Sequence, residues 1–289
     1  MSKQLHELLQ SLTTEMPNID TQDIDLLGSE SIMQLIHNQD KIALDAVKSI
    51  IPELSELASD VADRWQNGGR IIYVGAGTSG RLGVIDAAEL PPTYSIDPAR
   101  AIGVIAGGHE SLILSREGAE DKPEDAVNAI AQLGVQKNDS VIGISASFRT
   151  PFAIAGLEEA HRRGALTGYL VCNHPIEPMS WLDHLVVAQT GPETITGSTR
   201  MKAALAQKMM LTMFSTTVMV LSGKVFGNLM VDMKMTSAKL EERAAHLVMS
   251  LANVEYDEAK TVLTKSSGSV KAAVVMLKKN IDLNSAEKL

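Results

Sequence analysis

The spacing of apolar residues changes character twice along the chain. Over residues 1–53, Ile32, Leu35, Ile36, Ile42, Leu44 and Val47 recur at roughly helical intervals and predict an amphipathic helical extension. A second amphipathic helix is expected over 54–67, stopped by Gly68-Gly69. Short apolar runs follow at 71–74, 101–106, 140–144, 167–171 and 185–188, most of them separated by helical segments. These runs are apolar rather than alternating, as in strands covered on both faces. Strand–helix alternation predicts an α/β fold with a doubly wound, five-stranded parallel sheet, whose ligands bind at the carboxyl ends of strands near the switch point. A long Met- and Ala-rich helix is expected from Ser198 to about Ser222. After Gly223–Asp232, short helices return from about Lys239, broken at Asn253 and at Ser266-Ser267-Gly268. Val262, Leu263, Val270, Ala273, Val274 and Leu277 would supply a small three-helix core. The expected division is a helical extension at 1–53, a sheet domain at 54–222 and a helical region at 223–289.

Composition narrows the function. The 289 residues are 45% hydrophobic and 21% charged, an ordinary globular balance. A net charge of −9 argues against nucleic acid or an anionic membrane as partner, since both require a basic face. Cys172 is the single cysteine, so internal disulfides and cysteine zinc sites are excluded. The polar N-terminus has no signal-peptide core, and the run Met209–Ser222 falls short of the about 20 residues a bilayer span needs. A cytoplasmic protein is expected. The seven histidines show no metal-ligand spacing, and neither metal nor cofactor is expected.

The candidate chemistry centres on Tyr73-Val-Gly75-Ala-Gly77-Thr78-Ser79-Gly80-Arg81. A strand running through a glycine turn into a helix presents backbone N–H groups to an anion. The glycines fit the dinucleotide pattern, but that reading requires a carboxylate at the end of the second strand. That strand ends Ile105-Ala106-Gly107-Gly108-His109, and Asp86 comes too early, inside the first helix. A second hydroxyl-rich junction, Ser145-Ala-Ser147-Phe148-Arg149-Thr150-Pro151, follows the third strand, and a third, Thr194-Ile-Thr-Gly-Ser198-Thr199-Arg200, opens the long helix. Each alone reads as a helix cap; three together point to a phosphosugar site.

These junctions resemble the sugar isomerase (SIS) fold, which is flavodoxin-like. Longer stretches are similar to the N-acetylmuramic acid 6-phosphate etherase family: Gly69 to Thr93, Ile105 to Gly108, Glu117 to Asp121, Thr196 to Lys202 and Ser222 to Asp232. The resemblance spans nearly the whole chain. It implies phosphosugar binding by Gly77, Thr78, Ser79, Gly80, Ser145, Ser147, Arg149, Thr150, Ser198 and Thr199, a UBA-like helical C-terminus and a homodimer whose site borrows residues from the neighbouring subunit.

It also implies a reaction, cleavage of the D-lactyl ether at C3 of N-acetylmuramic acid 6-phosphate to N-acetylglucosamine 6-phosphate and D-lactate, as in peptidoglycan recycling. A base near C2, an acid near the ether oxygen and a positioned water are needed, and two carboxylates suffice. The family's glutamates fall on Glu89, at the expected end of the first helix, and on Glu120. Glu89 is assigned as acid and Glu120 as base, with the converse open. On residue type alone, Glu120 sits in the acidic run Glu117, Glu120, Asp121, Glu124 and Asp125, which reads as a solvated helix face. Glu193 is a secondary candidate for ring opening or substrate contact.

Three departures from the family pattern stand out. Phe148 occupies a usual glycine position, Ala204-Leu205 replace a usual Gly-Thr, and Leu90 replaces a usual cysteine. Phe148 motivates an alternative, a sugar-phosphate-binding regulator without catalysis. A second alternative is a ketose–aldose isomerase using Glu193.

Overall fold

The computed structural model describes residues 12–174, 179–233 and 238–288; residues 1–11 of the expected extension lie outside the described residues. The chain divides into two compact units. One comprises the residues up to Ala88 with Ala99–Val218, and the other Glu89–Pro98 with Met219–Leu289.

The first unit is built on five strands, β1 (Ile71–Gly75), β2 (Ala101–Ile105), β3 (Ser140–Ser145), β4 (Leu166–Val171) and β5 (His184–Val187). Their order is β2-β1-β3-β4-β5, with every neighbouring pair parallel. β1, β3 and β4 are buried at every position, which accounts for their largely apolar sequence. The helices are α1 (Ser29–Ser49), α2 (Ile51–Gln66), α3 (Gly77–Tyr94), α4 (Pro123–Gln132), α5 (Pro151–Arg162) and α6 (Lys202–Leu221). On one face of the sheet, Ile72 and Val74 pack with Ala126 and Ile130 of α4 and Phe152 and Leu157 of α5. On the other, Tyr73 meets Phe214 of α6 edge-on at 6.5 Å between ring centres. Helices therefore cover both faces, as expected of a doubly wound sheet.

Three expectations are corrected. Residues 13–26 form short 3-10 turns rather than an amphipathic helix, and the α-helix of the extension starts at Ser29. α3 begins at Gly77 and places Thr78 and Ser79 in its first turn. It continues through Pro91-Pro92 to Tyr94, so Glu89 lies inside the helix and not at its end. Proline φ is compatible with helix, and the cost is the lost bonds to the carbonyls four residues earlier, those of Ala87 and Ala88. The boundary between the two units falls at Ala88–Glu89, beside those carbonyls.

α6 starts at Lys202, later than the expected Ser198, and is long and apolar enough by composition to cross a membrane, although half of that window is buried inside the protein. Its buried face carries Ala203, Ala206, Met210, Leu211 and Phe214. It is a core helix of the first unit.

The second unit contains α7 (Ala238–Ala252), α8 (Tyr256–Lys265), α9 (Val270–Lys279) and the short α10 (Leu283–Ala286). The breaks fall where the sequence placed them, with left-handed backbone at Asn253, Ser267 and Gly268. Val262, Leu263, Val270 and Ala273 form its core with Val231, Ala244, Ala245, Val248 and Ala259; Val274 and Leu277 pack against it.

The turn from β1 into α3 is held by contact between two glycines. A Cβ on Gly80 would lie 2.6 Å from the Gly75 carbonyl oxygen and 2.8 Å from Ile105 Cγ1. Backbone cannot yield as a side-chain end does, so Gly80→Ala is expected to force α3 away from the sheet and to cost about 1–3 kcal/mol. Urea unfolding of the variant beside the parent protein measures this.

Candidate active site

The sheet order reverses between β1 and β3, which pair directly with Gly75 opposite Ile144. The turn leaving β1 and the loop leaving β3 therefore emerge side by side at the carboxyl edge, where open α/β sheets hold their ligands. At the first turn, Gly80 N–H bonds to the Ala76 carbonyl at 3.0 Å, closing the helix behind it. The N–H groups of Gly77, Thr78 and Ser79 precede that bond and remain outside the helical ladder. Positive φ at Gly77, +53°, lets the chain turn from strand to helix within two residues.

The hydroxyl groups divide into two sets. Ser145 and Thr150 bond each other at 2.8 Å, bracing the second loop. Ser79 donates to Gln207 Oε1 on α6 at 2.8 Å. Ser147 Oγ accepts from the Arg149 N–H at 3.4 Å and keeps its own proton free. Among the described residues, the side chains of Thr78, Arg149, Ser198 and Thr199 make no hydrogen bond, although each is at most partly buried or lies at the surface margin. The structure thus brings the first two junctions together and gives Ser145 and Thr150 a bracing role, with Thr78, Ser147 and Arg149 left as available donors.

Phe148 adopts φ +61°, a conformation that glycine takes freely and that costs another residue roughly 1–2 kcal/mol. The ring is buried at 8% exposure in the core with Phe152, Leu157 and Tyr169. Its carbonyl accepts the Tyr169 hydroxyl at 2.8 Å, and burial pushes that phenol's pKa up. The loop keeps a glycine-type backbone, and burial of the ring offsets its strain.

Glu193 is fully buried. Its Oε2 accepts from the Lys202 N–H at 2.8 Å and its Oε1 from the Ala203 N–H at 2.9 Å. Those two bonds cap α6 where it starts at Lys202, each carboxylate oxygen of Glu193 accepting one backbone N–H. Burial raises its pKa, opposed by the two backbone donors and by Lys202. Lys202, 1% exposed, donates to Gln39 Oε1 at 2.9 Å, and burial lowers its pKa against the pull of Glu193, Asp20 and Asp40.

The residues that brace these loops come from the 3-10 segment at the N-terminus. Asn18 bonds Gln39 at 2.8 Å and the Pro192 carbonyl at 3.3 Å, and Thr21 bonds the Thr194 carbonyl at 2.8 Å. Thr13 donates to Asn173 Oδ1 from both N–H and hydroxyl, and Asn173 donates in turn to the Ala146 carbonyl at 3.0 Å. Sequence reasoning missed Gln39, Asn173, Lys202 and Gln207. The available signal was Lys202 and Gln207 on a helix rich in Ala, Met and Leu.

Glu120 lies in the turn before α4, and its carbonyl accepts the Phe152 N–H at 3.0 Å, at the first turn of α5. That bond fixes Glu120 next to the Ser147–Thr150 loop. Glu117, Asp121, Glu124 and Asp125 are exposed, whereas Glu120 is partly buried, which sets it apart from the acidic run. A cavity of about 990 Å³ opens along the free edge of β2 and reaches Gly107, His109, Ala119 and Phe152, the last two flanking this contact. Glu89 belongs to the second unit, where it is exposed and its carbonyl accepts the Thr93 hydroxyl at 2.7 Å. Asp86, excluded above as a ribose ligand, is buried and accepts from Tyr73 at 2.7 Å and Ser215 at 3.1 Å. Among the described residues, no group of three or more His, Cys, Asp or Glu is arranged to hold a metal ion.

The fold and these loops define a SIS-type α/β protein. Residues 53–161 match the family model of the glucokinase regulatory protein N-terminal SIS domain. The fold is shared with a putative phosphosugar isomerase involved in capsule formation from Bacteroides fragilis, 19% identical at a TM-score of 0.50, over 68% of this chain and 97% of that one. The chain is 45% identical to the N-acetylmuramic acid 6-phosphate etherase of Bacillus subtilis, over 97% of this chain and 92% of that protein. It is also 45% identical to the etherase of Lactobacillus gasseri, over 97% and 95%. The chain belongs to the N-acetylmuramic acid 6-phosphate etherase family.

Removing the Glu193 carboxylate strands two buried N–H groups and takes away one of the three carboxylates, with Asp20 and Asp40, that act on Lys202. Glu193→Ala is expected to cost about 3 kcal/mol in chemical denaturation. The raised pKa fixes the sign of the pH dependence. This group's stabilisation is full below the unfolded value of 4.5 and is lost as pH rises through the higher folded value. The difference in stability between the parent and Glu193→Gln should therefore shift against the parent as pH rises above 4.5.

Proposed function

We propose that this protein cleaves the D-lactyl ether of N-acetylmuramic acid 6-phosphate, yielding N-acetylglucosamine 6-phosphate and D-lactate. It is a carbon–oxygen lyase of amino sugar metabolism, as its family membership indicates. The observation that carries the reading to a place in the fold is the convergence of the β1 and β3 loops at the switch point, with Glu120 fixed beside the second loop.

The phosphate is bound by the open N–H groups of Gly77–Ser79 and by Thr78, Ser147 and Arg149, donors that match an acceptor-only dianion. In the open-chain aldehyde the C2–H bond is acidified. Glu120 takes that proton, the C3–O bond breaks with its electron pair going to oxygen, and Glu89 protonates the departing lactate. Water then adds at C3 of the resulting alkene, C2 regains a proton, and the ring closes. Ser145 and Thr150 shape the second loop, Glu193 serves through α6, and Ser198 and Thr199 line the third junction.

The site works in a cytoplasmic homodimer. Cys172, the single cysteine, is buried and free, and a chain that uses no disulfide suits a reducing compartment. Large apolar side chains remain exposed on α1, Met33 at 69% and Leu44 at 49%, and at the end of α6, Leu221 at 50%. Sedimentation at micromolar concentration is expected to give twice the 31.0 kDa chain mass, and a monomer would remove the dimer from the reading.

Incubation with N-acetylmuramic acid 6-phosphate is expected to release D-lactate, with Glu120→Gln and Glu89→Gln each lowering the rate by about 10²–10⁴-fold. Full lactate release from both variants would remove the two glutamates from the mechanism. Phosphosugar binding without any lactate from the parent protein would favour the regulator instead.

A further inference from the structure

Ser79 has one hydroxyl proton, and in this structure that proton goes to Gln207 Oε1 at 2.8 Å. A phosphate accepts hydrogen bonds and offers none, so a serine whose proton is committed inward has only lone pairs to turn toward it. The partner is itself left unsatisfied. Gln207 is 1% exposed, and its Nε2 is buried with no acceptor among the described residues. An orphaned N–H group is the rarer and costlier kind of buried polar defect, a carbonyl without a donor being better tolerated.

Both defects are relieved by one rotation. The two ends of a carboxamide are nearly the same size, so a half-turn about the last side-chain bond exchanges Nε2 and Oε1 without repacking. Nε2 then donates to Ser79 Oγ, and the Ser79 proton is released to point away from α6. It joins the free N–H groups of Gly77, Thr78 and Ser79 at the start of α3. The chain Gln207 N–H to Ser79 O–H to phosphate oxygen polarises in one direction, each bond strengthening the next.

We propose that Gln207 is a positioning residue for the substrate phosphate, its carboxamide turning so that Ser79 donates to the anion. The proposal rests on the phosphate reading of the β1–α3 turn. The third junction, at Ser198 and Thr199, is not required.

The test is steady-state kinetics with N-acetylmuramic acid 6-phosphate for Ser79→Ala, Gln207→Met, Gln207→Glu and the double variant Ser79→Ala/Gln207→Glu, with thermal unfolding of each. Gln207→Met keeps the volume and leaves Ser79 free to turn outward, and KM should rise by about two- to five-fold. Gln207→Glu presents acceptors only and captures the Ser79 proton, so KM should rise by at least about ten-fold with kcat within about three-fold of the parent. Lowering the pH should then recover KM in Gln207→Glu alone, as the introduced carboxyl gains a proton it can donate to Ser79. In the Ser79→Ala background the pH recovery should vanish.

Recovery that persists in the double variant overturns the proposal, since the introduced charge would then act on the phosphate directly. Equal effects of Gln207→Met and Gln207→Glu, with Ser79→Ala raising KM, also overturn it while leaving the phosphate reading intact. An unchanged KM in Ser79→Ala overturns both together. If Gln207→Glu fails to fold, the ratio of KM values between Ser79→Ala and Ser79→Ala/Gln207→Met decides: a ratio of one supports action through Ser79, and a further rise opposes it.

Discussion

The direct pairing of β1 with β3 is the constraint on which the site depends. Because the chain winds from β1 outward to β2 and then crosses back to β3, the two strands become neighbours with Gly75 opposite Ile144. Their following loops have to emerge together at one edge of the sheet. Neither loop is a strong anion site alone, since the open N–H groups of one helix end act over little more than a turn. Adjacency makes them additive. The same reversal explains why Phe152, in the first turn of α5, can bond the Glu120 carbonyl: the helix that follows β3 folds back over the face where the β2–α4 connection ends.

Within that frame the hydroxyl residues do different work. A group that stabilises the loop must already be satisfied, whereas a group that binds a ligand must be left with something to donate. Ser145 and Thr150 meet the first condition, and Thr78, Ser147 and Arg149 meet the second. Phe148 shows how far the loop backbone is fixed independently of its side chain. A left-handed φ of +61° persists although a bulky residue occupies it, because the ring finds a place in the core and the carbonyl is held by Tyr169. The departure from glycine therefore changes what lies beneath the loop more than the path of the loop itself.

The sheet was legible because parallel strands buried on both faces leave continuous apolar runs, and Ile71–Val74, Val141–Ile144 and Leu170–Val171 are of that kind. The glycine turn was legible because only a residue without Cβ fits between Gly75 O and Gly80. Residues 13–26 were misread because the helical spacing of Ile32, Leu35, Ile36, Ile42, Leu44 and Val47 was extended back over the whole of 1–53. What decides their path is tertiary: Thr13, Asn18 and Thr21 bond carbonyls and amides about 160 to 174 positions away, and local patterning carries no trace of that. Glu193 was legible only in part. A carboxylate before a helix start reads equally as cap or as ligand, and local pattern carries no trace of the two bonds it accepts from the Lys202 and Ala203 N–H groups.

α6 joins these themes. An apolar helix packed against a sheet can slide or rotate with little penalty, since one aliphatic contact replaces another. Polar groups on the buried face remove that freedom, because each must meet a specific partner or remain unsatisfied. Glu193 pins the first turn, Lys202 ties it to Gln39, Gln207 meets Ser79, and Ser215 meets Asp86, whose other oxygen is held by Tyr73 of β1. These four attachments occur at 202, 207 and 215 and at the cap, spread over the buried length of the helix. They fix both its rotation and its position along its axis. Burial makes these bonds costly to break, and it also makes α6 the rigid wall against which the anion-binding turn is set. The composition that makes α6 look like a membrane span is thus compatible with a core helix whose few polar residues determine where it sits.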